Sequence, residues 1–307
     1  MTVTLFAEQL LNGLQFGLML FLIAAGLTLV FGIMDVLNLA HGSLYMIGAY
    51  IAASVAQATG SFWIAVPAAV AATGLIGLAL EVSLIRRLYR RDHLSQVLAT
   101  FAVILIADDL VKLLWGPAPI MLSAPAALAG PVEIAPGLLY PSYRLLIIAV
   151  GLALALGLFL FITKTRTGML VRAGSSNRDM ASLMGVRVDR LFATIFVLGA
   201  MLSAVAGALL GPLLAVEIGM GENILILALV VIVIGGIGSI RGAFLAAIFV
   251  GMIDTLGRAF LPDLLRQVLS SAAASTAAPA LSSMLIYLLM AIVLVVRPEG
   301  LFPAGRR

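Results

Sequence analysis

The chain has 307 residues, of which 63% are hydrophobic and only 10% charged, with a formal net charge of +4. Soluble domains carry about a quarter charged residues, so this composition excludes an ordinary soluble domain and points to a membrane protein. The sequence contains no cysteine, which removes disulfides, thiol catalysis and thiolate metal sites.

The basic balance does not signal nucleic acid, because the basic residues fall in three clusters between apolar runs. These are Arg86, Arg87, Arg90 and Arg91; Lys164, Arg166, Arg172, Arg178, Arg187 and Arg190; and Arg297, Arg306 and Arg307. The positive-inside rule puts all three clusters, and the C-terminus, in the cytoplasm. Alternation from those anchors predicts an all-α, polytopic transmembrane helical bundle of about 8–9 spans. They are read near 5–32, 42–58, 62–85, 95–115, 143–163, 191–215, 223–238, 243–260 and 281–297. Nine crossings would place the N-terminus outside. The opening "MTVTLFAEQ" lacks a positive start and a small-residue cleavage site, so the first span is expected to be retained.

On the first span, Asn12 and Gln15 lie three apart on one helical face beside Gly13 and Gly17. They either line a solute route or hold helices together. A polar cluster, "NLAHGSLYMIGAY" (Asn38–Tyr50), then interrupts the apolar sequence. Non-helical backbone at membrane depth is stable only inside protein or along a wet cavity, so a helix break is expected near 33–45. Asn38 would cap the helix resuming near His41, Gly42 would permit close approach, and His41 and Tyr45 would share a face. That face either borders a route or bonds to neighbouring helices.

Further along, Asp108 and Asp109 precede Lys112 near the end of a span. Lys112 follows Asp108 by four residues, which predicts a structural ion pair. Glu81 and Asp254 are read as lone acids at interfaces or in interhelical hydrogen bonds. The segment 116–142 holds six of the twelve prolines and one charge, and is expected as a periplasmic loop. The small-residue spacing in "GLALALGLF" and "SAVAGALLG" suits close helix packing.

The loop 164–190 contains "RDMASLM", two turns of helix that Gly185 can end in a left-handed cap. Met180, Leu183 and Met184 form an apolar face framed by Arg172, Arg178 and Arg187. It suits either a partner's groove or the bilayer surface. A second break is expected near 235–242, where "GSIRGAFLAAI" (Gly238–Ile248) faintly echoes "GSLYMIGAYI" (Gly42–Ile51) and offers Ser239 to the same route. No Walker loop, zinc-protease helix, nucleophile elbow or dinucleotide fingerprint occurs. No catalytic or metal-ligating set is expected, and energy must come from another subunit or an ion gradient.

Four blocks carry a resemblance: 11–50, 166–211, "VIVIGGIGSIRGAFLAAI" (Val231–Ile248) and "RPEGLF" (Arg297–Phe302). In order and from end to end, they resemble the LivH-type inner-membrane permeases of branched-chain amino acid ABC importers. The resemblance implies a single permease domain over 1–307 in the bacterial inner membrane. It also implies a second related permease, two cytoplasmic ATPases that use ATP and Mg, and a periplasmic binding protein. The chain itself would bind no cofactor and no nucleic acid. "DMASLMG" (Asp179–Gly185), with Met180, Ala181, Leu183 and Met184, then resembles the loops that dock permeases onto ATPases. The same importer class also serves urea, short amides and aromatic or small carboxylates. An ion-coupled secondary transporter is the alternative of another class.

Overall fold

The computed structural model describes residues 3–89, 91–176 and 178–302, and leaves the side chains of 175–179 undescribed. Arg90, Arg306 and Arg307 therefore lie outside the described residues, as do the side chains of Arg178 and Asp179. The chain is a helical bundle, as its composition predicts. Two central helices, α1 (Val3–Met34) and α9 (Val188–Leu210), form the interior. Over their most apolar stretches they are 78% and 72% buried, against 17% for α12 (Ser271–Val296) at the periphery. A long apolar helix buried on every side is a core element, whereas a peripheral one presents its apolar surface to lipid or a partner.

Six of the described helices are long and apolar enough to cross a membrane. They are α1, α3 (Phe62–Leu80) with its extension, α6 (Ser142–Lys164), α9, α11 (Ile240–Leu265) and α12. Between them run α2 (His41–Thr59), α5 (His93–Trp115) and the shorter α10 (Met220–Gly235). α3 continues through a π-helical segment, Glu81–Ile85, into the last turn α4 (Arg86–Leu88). The wider π turn aligns residues five apart. Arg86 can therefore reach Glu81, whose buried carboxylate accepts from the Arg86 guanidinium at 2.9 and 3.2 Å and from the Tyr89 hydroxyl at 2.5 Å. Glu81 is thus ion-paired within its own helix, and so is Asp254, which pairs with Arg258 at 2.9 Å.

Helix packing relies on glycine. A Cβ on Gly17 would lie 2.8 Å from the Ala247 carbonyl oxygen of α11, and one on Gly251 2.5 Å from the Gly17 nitrogen. Backbones this close gain dispersion contacts that a side chain would block.

The proline-rich segment contains more order than its composition suggests. β1 (Pro131–Ala135) and β2 (Leu138–Pro141) pair antiparallel across a turn at Gly137, whose φ of 78° suits glycine. This hairpin marks one end of the bundle, and the arginine-rich turns and the C-terminal segment mark the other, the basic end. At the basic end Asp92 caps α5, accepting from the Ser95 amide at 3.1 Å and its hydroxyl at 2.7 Å. Those two bonds hold the Asp92 carboxyl below the usual carboxylate range.

Candidate functional site

The break expected near 33–45 is present. α1 stops at Met34, where Asp35 takes a left-handed φ of 54°. The chain then doubles back without helix for 35–40. His41 begins α2 beside Gly26, eight residues before the end of α1, a return of about 12 Å into the bundle at 1.5 Å per residue. Backbone at such depth needs partners, and α5 provides them. Leu37 donates its amide to Gln96 Oε1 at 3.1 Å, and Leu39 to Thr100 Oγ1 at 3.3 Å.

A second interruption enters from the opposite end, where the sequence reading carried a span through 215. α9 ends at Leu210, and Val216 pairs with Ile120 just beyond the Trp115 end of α5. α10 then begins at Met220 after Gly219, whose φ is 83°. Glu222, in the first turn of α10, shares a cleft with Asp108, about 10 Å short of the Trp115 end of α5.

The two shortened helices meet start to start. A Cβ on Gly42 would lie 2.2 Å from the Gly221 carbonyl oxygen, and one on Gly221 2.4 Å from that of Gly42. No other residue type fits either position without moving backbone. Both helix starts carry amide dipoles of positive sense. Neither has a side-chain cap, since Ala40 and Gly219 occupy the cap positions. Gly42, Ser43, Gly221, Glu222 and Asp108 line the cleft where they meet. Ser43 is 3% exposed, and its hydroxyl has no hydrogen-bond partner among the described residues.

The sequence candidates divide around this junction. His41 is fully buried, wedged between Gly26 and Gly199, and its Nε2 lies 2.8 Å from Ser203 Oγ on α9. Tyr45 is buried with its backbone against Gly207. Both therefore sit on the side of α2 that packs on α9. Asn38 does not cap α2. It is 1% exposed, and neither polar atom of its side chain finds a partner among the described residues. Gln15 is buried within α1. Asn12 lies at the hairpin end, where its Oδ1 accepts from the Tyr140 hydroxyl at 3.0 Å and from the Arg144 guanidinium. Ser239 caps α11, accepting from the Gly242 amide at 3.1 Å. The turn at 236–239 is a tight link between antiparallel helices at the basic end, buttressed by Leu301 and Phe302 amides donating to Ile234 and Gly235. The expected Asp108–Lys112 ion pair does not form among the described residues. Asp108 turns into the cleft instead, because α10 begins beside it.

At the basic end, α7 (Arg166–Ser176) leads into the short helix α8 (Arg178–Leu183). Arg172 donates to the Ile162 carbonyl. Gly185 ends α8 with φ 85°, donating to Ser182 at 3.0 Å while Val186 donates to Ala181 at 3.1 Å. That is a Schellman cap, which turns the chain sharply and fixes the helix length. Ala181 is 6% exposed, whereas Met180, Leu183 and Met184 are 57%, 84% and 78% exposed. Arg187 is exposed beside them.

A family model described as branched-chain amino acid transport system / permease component matches residues 9–294. The chain belongs to this permease family. It is 31% identical to the high-affinity branched-chain amino acid transport system permease protein LivH of Escherichia coli K12, over 96% of this chain and 95% of that protein. It is 29% identical to the permease protein BraD of Pseudomonas aeruginosa over the same shares. A probable LivH of Methanocaldococcus jannaschii is 25% identical over 78% of this chain and 76% of its own length. No solved structure matches.

Sequence reasoning about this permease missed Ser43, Gly221 and Glu222. A signal for them was present. "GMGENILIL" (Gly219–Leu227) sets glycines and an acid at the head of an unusually short apolar run, the pattern of a helix that begins inside a membrane. The apolar run after it reads as a span, but nothing local links its polar head to Asp108, which lies more than a hundred residues away in the chain.

Proposed function

We propose that this permease is the membrane-spanning subunit of an ATP-driven importer of branched-chain amino acids. In this reading the arginine-rich end faces the cytoplasm. A second related permease and two ATPases complete the machine in the membrane, a periplasmic binding protein delivers solute, and ATP and Mg are used by the ATPases alone. The names of the relatives support the substrate. The observation that carries the coupling is α8 with the turn after it, where Leu183 and Met184 are largely exposed and Met180 about half exposed while Ala181 is buried. An apolar face this exposed, on a helix held short by its cap, fits a partner's groove. Closure of an ATPase pair around ATP would draw two such helices together and rock the permeases between inward-open and outward-open states.

The test is Leu183→Asp. The variant is expected to insert into the membrane in normal amount, lose co-purification with the ATPase subunits, and lose ATPase stimulation by the loaded binding protein. Normal co-purification and stimulation would overturn the assignment.

A further inference from the structure

We propose that the cleft between α2, α5 and α10 is a binding site for the zwitterionic head of an amino acid; this rests on the importer reading above. The cleft brings both signs of charge to one place. Two uncapped helix starts present amides of positive sense at Gly42–Ser43 and at Gly221. Opposite them Asp108 and Glu222 line the same cleft. Two carboxylates facing one narrow cleft repel each other and favour a cation between them. An α-carboxylate on the helix starts and an ammonium between Asp108 and Glu222 would satisfy both halves. A neutral amide or a simple anion would satisfy only one.

Two independent observations point to a ligand. Ser43 lines the cleft while nearly fully buried, yet its hydroxyl has no partner among the described residues. A buried hydroxyl without a partner is costly, and a carboxylate at the start of α2 would accept its proton. Glu222 is exposed and Asp108 half-buried where they line the cleft. Acids at membrane depth face wet cavities or protein and not hydrocarbon, so this side of the cleft opens toward a solute route or a second permease. Leu39, Ile104 and Leu225 form the apolar wall against which a branched side chain would lie. The Gly42–Gly221 contact closes the cleft here to anything the size of a water molecule, so binding requires α10 to separate from α2.

Because the chain has no cysteine, Ser43→Cys supplies a unique thiol in this subunit. The assembled importer carrying it would be treated with methanethiosulfonate reagents bearing an ammonium or a sulfonate, and labelling of this subunit followed with and without ATP. Relative to their rates with a small free thiol, the ammonium reagent is expected to gain about tenfold over the sulfonate, because two full carboxylate charges outweigh the partial charges of the helix starts. Asp108→Asn or Glu222→Gln should erase that preference, and leucine should slow labelling. A rate ratio equal to that of a free thiol, no protection by leucine, or no labelling in either nucleotide state would overturn the proposal. If Ser43→Cys does not assemble, leucine uptake by Asp108→Asn and Glu222→Gln decides. A loss of about tenfold or more with normal assembly is expected; wild-type uptake, or loss of assembly, overturns it. A wild-type importer that takes up no leucine would instead overturn the importer reading itself.

Discussion

The interruption at 35–40 and the turn at 236–239 both place glycine and serine at the start of a helix, and the structure treats them in opposite ways. At 236–239 every local demand is met: Ser239 caps α11, and two amides of the C-terminal segment close on the end of α10. At 35–40 the backbone is held by borrowed side chains from α5, while α2 begins uncapped and Ser43 and Asn38 keep unpartnered polar atoms. Satisfied polar groups at a helix end indicate architecture, whereas unsatisfied ones at membrane depth are sustained by the surrounding fold for another purpose. The similarity of the two sequence blocks therefore does not extend to their roles.

Substitutions can break or sharpen this contrast. The largest effect is expected from Gly221→Ala, because the added carbon would meet the Gly42 backbone at 2.4 Å and neither strand of backbone is free to yield. Overpacking of this kind costs about 1–3 kcal/mol or more, and should appear as a sharp loss of monodisperse protein in detergent by size-exclusion chromatography. A smaller effect is expected from Ser239→Ala, which removes one cap bond worth about 1 kcal/mol. Its thermal midpoint in detergent should fall slightly and solute uptake should persist. Uptake lost in Ser239→Ala with intact assembly would erase the distinction between the two interruptions.

Much of the fold was legible because membrane spans announce themselves by length and hydropathy. The helix break after α1 was legible as well, since "NLAHGS" is polar where lipid forbids polarity. Gly185 was readable as a left-handed stop because the amphipathic turns end there. What stayed hidden depended on partners distant in sequence. Asp108 reads locally as the partner of Lys112, and only the approach of Glu222, after more than a hundred intervening residues, turns it into a cleft wall. Glu81 reads as a lone acid because a π turn, which brings Arg86 to it, leaves no simple pattern in the sequence. His41 reads as a residue of a route or of helix packing, and it is enclosed between Gly26 and Gly199 beside Ser203, whereas the plainer Ser43 lines the cleft.

The central claim is that this permease works in an importer driven by ATP. It is tested by labelled leucine uptake into proteoliposomes that contain this chain with the second permease and two ATPases proposed above, and the proposed binding protein outside. The account predicts accumulation that requires ATP and Mg inside the vesicles and survives collapse of proton and sodium gradients. Accumulation without ATP, driven by an ion gradient alone, would contradict it.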